Sequence, residues 1–151
     1  MIERPDDVHA LVGRELGPTS AVLIDQARID AFAEITEDPQ WIHVDPVRAA
    51  AGPFGSTIAH GYLTLSLVAR GLTELLPLGP GVVSINYGLD RVRFPSPVPV
   101  GSRVSMTVRI GDLRPVTDGV EFVARCTLIA DGAVKPACVA DAVLRYLRAP
   151  A

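Results

Sequence analysis

The stretch from Gly61 to Leu76 limits the possible folds more than any other part of the chain. Leu63, Leu65, Leu67, Val68, Leu72, Leu75 and Leu76 cover most of a helix's circumference, leaving Thr64, Ser66, Arg70, Thr73 and Glu74 polar. A helix apolar nearly all round is expected inside a protein. At 1.5 Å per residue it would run roughly 24 Å. Pro77 and Gly79-Pro80-Gly81 end it. Arg70 and Glu74 interrupt the apolar run, and it is too short to span a bilayer comfortably. Other elements must therefore wrap it.

The second half of the chain has the pattern to do so. Val104, Met106, Val108 and Ile110 alternate with polar residues, as do Phe122 to Leu128 and Cys138 to Tyr146, and Val82 to Phe94 is a further strand candidate. Turn signals fall at Pro95 to Gly101, Thr117-Asp118-Gly119 and Asp131-Gly132. Upstream, residues 1–17 read as an arm or short leading helix, and Ser20 to Ile24 as a short strand. Asp25 is placed to cap a helix carrying Ile29, Phe32 and Ile35 through Thr36. Asp45-Pro46 to Gly52 reads as a shorter capped helix. Helices early and strands late predict an α+β domain with a largely antiparallel sheet, one face of which covers the Gly61–Leu76 helix. The length, 151 residues, suits one domain, and 48% hydrophobic residues argue against disorder.

The formal charge of −3 gives no general attraction for nucleic acid. The first residues contain acidic side chains and no apolar core of a signal peptide, so a cytoplasmic protein is expected. Cys126 and Cys138 lie in alternating segments and read as small buried thiols.

Chemistry concentrates between the helices, in Thr36-Glu37-Asp38-Pro39-Gln40-Trp41-Ile42-His43-Val44-Asp45. On one continuous helix Asp38 and His43 would project about 140° apart. Pro39 biases Asp38 away from helical geometry, so the segment reads as a turn, and a turn can bring both side chains to one point. A carboxylate beside an imidazole suits proton transfer to or from water; equally, either residue can serve a turn. Asp45 reads as a helix cap, and Trp41 either lines a pocket or anchors the loop. Further on, Ile58-Ala59-His60-Gly61 leads directly into the long helix. The free N–H groups of a helix start favour negative charge, and Gly61 has no Cβ to shield its amide. Such an arrangement can hold an oxyanion. Alternatively, Gly61 only lets the helix begin close to the sheet, and His60 satisfies a neighbouring carbonyl.

These residues together resemble a known family. Asp38, His43 five residues on, Ala49 six beyond that, then Ile58-Ala59-His60-Gly61 and the apolar helix are similar to the (R)-specific enoyl-CoA hydratase, or MaoC-like dehydratase, family. Arg93-Phe94-Pro95, Pro97-Val98 and Val100-Gly101 match its strand-and-turn stretch. The resemblance covers roughly residues 15–147, and Trp41-Ile42-His43-Val44-Asp45-Pro46 looks closest to mycobacterial-type single-domain members. It implies one hot-dog domain over residues 1–151, with 1–14 as an N-terminal arm, paired into a homodimer. It also implies reversible addition of water to a trans-2-enoyl-CoA, giving an (R)-3-hydroxyacyl-CoA. By the resemblance, Asp38 and His43 activate the water, the Gly61 amide binds the thioester oxygen, and Ser66 lines the acyl pocket. Gln40 braces the loop where the family often has Asn, Trp41 stands where it often has Pro, and His60 flanks the substrate. The CoA thioester is substrate; no cofactor, metal, nucleic acid or membrane is implied.

Two other readings of such a chain are a hot-dog thioesterase and a non-catalytic acyl-CoA-binding or subunit-partner domain. A metal site from His43, Asp45 and His60 lacks a compact ligand motif. Arg91, Arg93 and Arg103 are candidates for the CoA phosphates or plain solvated sheet charges.

Overall fold

The computed structural model describes residues 1–150. A 3-10 helix, Pro5–Leu11, opens the chain. Two short strands follow, β1 (Glu15–Leu16) and β2 (Val22–Ile24), then the helices α1 (Gln26–Thr36), α2 (Trp41–Val44), α3 (Pro46–Ala50) and α4 (Gly61–Leu75). Four long strands complete the fold: β3 (Val82–Arg93), β4 (Ser102–Val116), β5 (Gly119–Ala130) and β6 (Cys138–Arg148).

All six strands form one sheet in the order β1-β4-β5-β6-β3, with β2 also on β4. Every pairing is antiparallel. The inward residues of the long strands, among them Val104, Met106, Val108, Ile110, Phe122, Ala124, Leu128, Ala140, Leu144 and Tyr146, form the core with Leu63, Val68, Leu72 and Leu76 of the α4 region. This is the hot-dog arrangement, a curved antiparallel sheet around one long helix. Gly71 is what lets α4 lie so close to β4, because a Cβ there would collide with the end of Met106. The leading segment belongs to the core: Ile2 and Val8 are buried, and the Ile2 backbone bonds to the Pro77 carbonyl and the Gly79 amide.

Three details depart from the sequence pattern. Only one face of α4 is buried; Tyr62, Ser66, Ala69 and Thr73 are exposed, because the sheet of one chain covers a single side. In α1, Ile29 and Ala33 are buried one turn apart, while Ile35 is 82% exposed on the far side. The segment expected as a turn contains a full helical turn, α2. The two cysteines are buried free thiols, with burial pushing Cys126 up to about 12 and Cys138 up to about 11.

The connection from β3 to β4 matters for the site. These strands are separated in the sheet by β5 and β6, so residues 94–101 must cross its end. The alternating prolines 95, 97 and 99 cannot donate to a ladder. The intervening residues do bond: Val98 accepts from the Ala59 amide, and the Val100 amide donates to Thr57. The crossover thereby becomes a wall beside residues 57–60.

Candidate active site

The site is built where α1 stops. Asp25 caps the start of that helix by accepting from the Arg28 amide. Its end is a two-bond stop: Glu37 N–H donates to the Glu34 carbonyl and Asp38 N–H to the Ala33 carbonyl, with Glu37 in the left-handed conformation at φ 56°. The reversal throws Asp38 clear of the helix. After Pro39, the Gln40 carbonyl accepts from the His43 and Val44 amides and so closes α2. Asp45 then caps α3 through the Arg48 amide.

The second half of the site is the segment entering α4. The Ile58 amide donates to the Ile42 carbonyl at 3.1 Å, which ties this segment to α2. The His43 ring lies 2.7 Å through Nδ1 from the Ile58 carbonyl. A carbonyl can only accept, so Nδ1 carries the proton, and in the neutral ring Nε2 is left with its lone pair. His43 is 6% exposed. Burial holds its imidazole below the ordinary value, and the neighbouring His60 ring pushes the same way. The Ile58 carbonyl and the Asp38 carboxylate oppose the shift without reversing it. A neutral ring with a free Nε2 is a proton acceptor at working pH.

His60 stacks on His43, with ring centroids 3.7 Å apart and planes inclined at 25°. Phe32 of α1 also packs against His60, with ring centroids 5.1 Å apart. His60 Nε2 donates to the Asp38 carbonyl at 3.1 Å, and its buried Nδ1 has no partner. His60 thus satisfies a neighbouring carbonyl and serves as the platform under His43. Gly61, the first residue of α4, has an amide without an intrahelical partner. A Cβ there would come within 3.3 Å of the Phe94 ring, which would have to give by a few tenths of an ångström. His43, Gly61 and Thr64 line a pocket of about 290 Å³, together with Phe54, Phe94 and Val98.

One Asp38 carboxylate oxygen and one ring nitrogen each of His43 and His60 lie within 4.8 Å of one another. Two hydrogen bonds of about 2.8 Å meeting at one water span such a gap. These three residue types can also ligate a metal, but the two imidazoles are stacked, so their in-plane lone pairs run side by side instead of converging. Both Nδ1 of His43 and Nε2 of His60 already face carbonyls. Asp45 is engaged in its cap and does not join this group.

The structure brings Asp38, His43, His60 and Gly61 together and places the other expected site residues elsewhere. Ser66 donates to the Leu63 carbonyl and lines a separate groove of about 260 Å³ between α4 and strands β3 and β6. Trp41 is a loop anchor: its ring lies under the Arg48 guanidinium at 4.5 Å and fills the space over Gly52, where a Cβ would approach it to 2.9 Å. Gln40 closes α2 through its backbone, and its side chain makes no capping bond. Arg91, Arg93 and Arg103 are exposed, and Arg93 donates to the adjacent Val92 carbonyl. The amide bracing this loop is that of Gln26, which reaches Thr57 and the His43 carbonyl. Gln26 and Thr57 are 31 residues apart, and nothing local in either segment signals the contact.

Comparison with known proteins shows which family the chain belongs to. The model of the MaoC like domain matches residues 7–131. The chain is 46% identical over 142 residues to 3-hydroxyacyl-thioester dehydratase Z of Mycobacterium tuberculosis, covering 93% of this chain and 94% of that protein. It is 33% identical over 108 residues to the (R)-specific enoyl-CoA hydratase of Rhodospirillum rubrum, covering 72% of each. Among solved structures, the (R)-hydratase from A. caviae involved in PHA biosynthesis superposes with a TM-score of 0.72 at 29% identity, over 88% of this chain and 94% of that one. The matched span contains the whole Asp38–Gly61 site and the helix behind it, and the chain belongs to the MaoC-like dehydratase family.

Proposed function

We propose that this chain is an (R)-specific enoyl-CoA hydratase, adding water reversibly to a trans-2-enoyl-CoA to form the (R)-3-hydroxyacyl-CoA. The observation that carries the reading is an Asp38 carboxylate oxygen within 4.8 Å of a ring nitrogen of a neutral, buried His43. Asp38 and His43 Nε2 hold a water between them. Its oxygen bonds to C3 as the C2–C3 π pair moves toward the thioester oxygen. The water's proton passes to the pair and returns to C2 when the enolate collapses, so atoms and charge balance. The Gly61 amide, at the positive end of α4, stabilises the enolate oxygen. The names of the related proteins, dehydratase and hydratase, describe the two directions of this reaction.

The reaction uses no metal or organic cofactor, and a chelator leaves it unchanged. The active form is a homodimer. Among the described residues β3 pairs only with β6 and leaves one edge free, and Val83, Ile85, Tyr87 and Leu89 are exposed along it. An apolar, unpaired edge of this length calls for a partner; a monomeric mass in solution would exclude the dimer. The cytoplasmic setting fits two unpaired buried thiols. Among the described residues no helix is long and apolar enough to cross a membrane.

Product analysis tests the reading. On mixing the chain with trans-2-butenoyl-CoA, the conjugated-enone absorbance falls, the product is the (R)-3-hydroxy thioester, and no free thiol appears. Thiol release would make the protein a thioesterase. Binding without turnover at every chain length would make it a non-catalytic acyl-CoA domain.

A further inference from the structure

We infer that half-buried Gln26 and buried Thr57 form a clamp that positions His43 as the proton-accepting group. The inference rests on the hydratase reading for its kinetic consequence, but its geometry stands apart from it. α2 has only four residues, so the His43 carbonyl lies at its last turn with no intrahelical donor. Gln26 supplies one: its Nε2 donates to the His43 carbonyl at 2.8 Å and to the Asp30 carboxylate at 2.7 Å. Its Oε1 accepts from the Thr57 hydroxyl at 2.6 Å. This orientation of the amide is forced, because a flip would set Oε1 against two acceptors. Thr57 is 1% exposed and immediately precedes Ile58, whose carbonyl takes the His43 Nδ1 proton.

The clamp therefore joins the two segments whose spacing decides where Nε2 points. One end holds the His43 backbone, and the other holds the segment that carries its hydrogen-bond acceptor. A single helical turn cannot hold a ring to a fraction of an ångström by itself, and misplacement of a reacting group by about 1 Å can cost about a hundredfold in rate. Gln26 and Thr57 touch no substrate in this account. They are positioning residues, and they set which nitrogen of His43 is bare.

Three variants test this, each followed by imidazole ¹⁵N NMR, by kcat and KM on trans-2-butenoyl-CoA, and by circular dichroism. Thr57→Val exchanges the hydroxyl for a methyl, Gln26→Leu removes the amide, and Thr57→Ser keeps the hydroxyl. In the unaltered protein the His43 shifts report a single Nδ1–H tautomer. Thr57→Val and Gln26→Leu should lower kcat about 10–100-fold, with KM within about twofold, and should average the His43 tautomers. The double variant should be no worse than Gln26→Leu alone, since both remove one linkage. Thr57→Ser should keep the single tautomer and most of the rate. An unchanged tautomer in folded Gln26→Leu overturns the clamp, as does equal loss in Thr57→Ser and Thr57→Val. If Gln26→Leu does not fold, Thr57→Val carries the same expectation; loss of fold in both makes the pair purely structural and overturns it. If the unaltered protein does not hydrate the thioester, the hydratase reading fails while the NMR comparison still decides the clamp.

Discussion

Two regions of the α4 surface are built differently. At its N-terminus, Asp38, His43, His60 and Gly61 come from three segments held by specific bonds: His43 Nδ1 to the Ile58 carbonyl, His60 Nε2 to the Asp38 carbonyl, and the Ile58 amide to Ile42. About one and a half turns further on, the groove beside Ser66 is lined mainly by Leu65, Val68, Ala69, Leu89 and Leu144. Ser66 itself bonds back to its own helix. The first region specifies directions for protons and charge; the second offers shape and apolar contact. Reaction type should therefore be sensitive to single atoms in the first region, and the second should tolerate change.

Short of removing Asp38 or His43, the largest expected effect is at the helix start. Gly61→Ala sets a Cβ against Phe94 and over the amide that faces the pocket. Turnover should fall by about tenfold or more, with the unfolding midpoint little changed, since the half-exposed Phe94 ring can shift. Turnover within twofold of the unaltered protein would remove Gly61 from the charge-stabilising role.

The pH profile probes the same region without mutation. Burial lowers the folded-state pKa of His43 below its unfolded value, so folding favours the neutral ring. The acidic limb of kcat/KM should thus lie below the ordinary imidazole value of about 6.5. The stability this group contributes is complete above that value and is lost as pH falls. A limb at or above the ordinary value would contradict a desolvated His43.

A smaller effect is expected at the turn that presents Asp38. Glu37 is exposed and left-handed at φ 56°, a conformation glycine adopts without steric cost. Glu37→Gly should raise stability by about 1 kcal/mol, or about 2–4 °C in Tm, with activity unchanged. A lower Tm would show that the turn depends on the Glu37 side chain. The smallest effect belongs to the groove. Ser66→Ala should change turnover of a four-carbon thioester by less than about twofold, because its hydroxyl is spent on the Leu63 carbonyl. A large loss would mean that the two regions are not separate.

The same contrast explains what could be read from the amino-acid order. The apolar periodicity of α4 and the period-two strands follow from local rules, and so do the Asp25 and Asp45 caps. The nearness of Asp38 and His43 is legible because they are five positions apart with a proline directly after Asp38. The one-turn helix α2 is not, since four residues carry no periodicity. Nor is the exposed half of α4, because its leucines report burial without saying how much of it one chain provides. The stacking of His60 on His43 and the Gln26–Thr57 contact join residues 17 to 31 positions apart and arise only once the segments pack.

In the proposed reaction Asp38 and neutral His43 together activate one water. The decisive comparison is hydration of trans-2-butenoyl-CoA by Asp38→Asn, by His43→Gln and by the unaltered chain. Each substitution keeps size and hydrogen-bonding capacity while removing the charge or the basic nitrogen. Each should lower turnover by about 10²–10⁴-fold, with native circular dichroism retained. Normal turnover in both folded variants would contradict the claim.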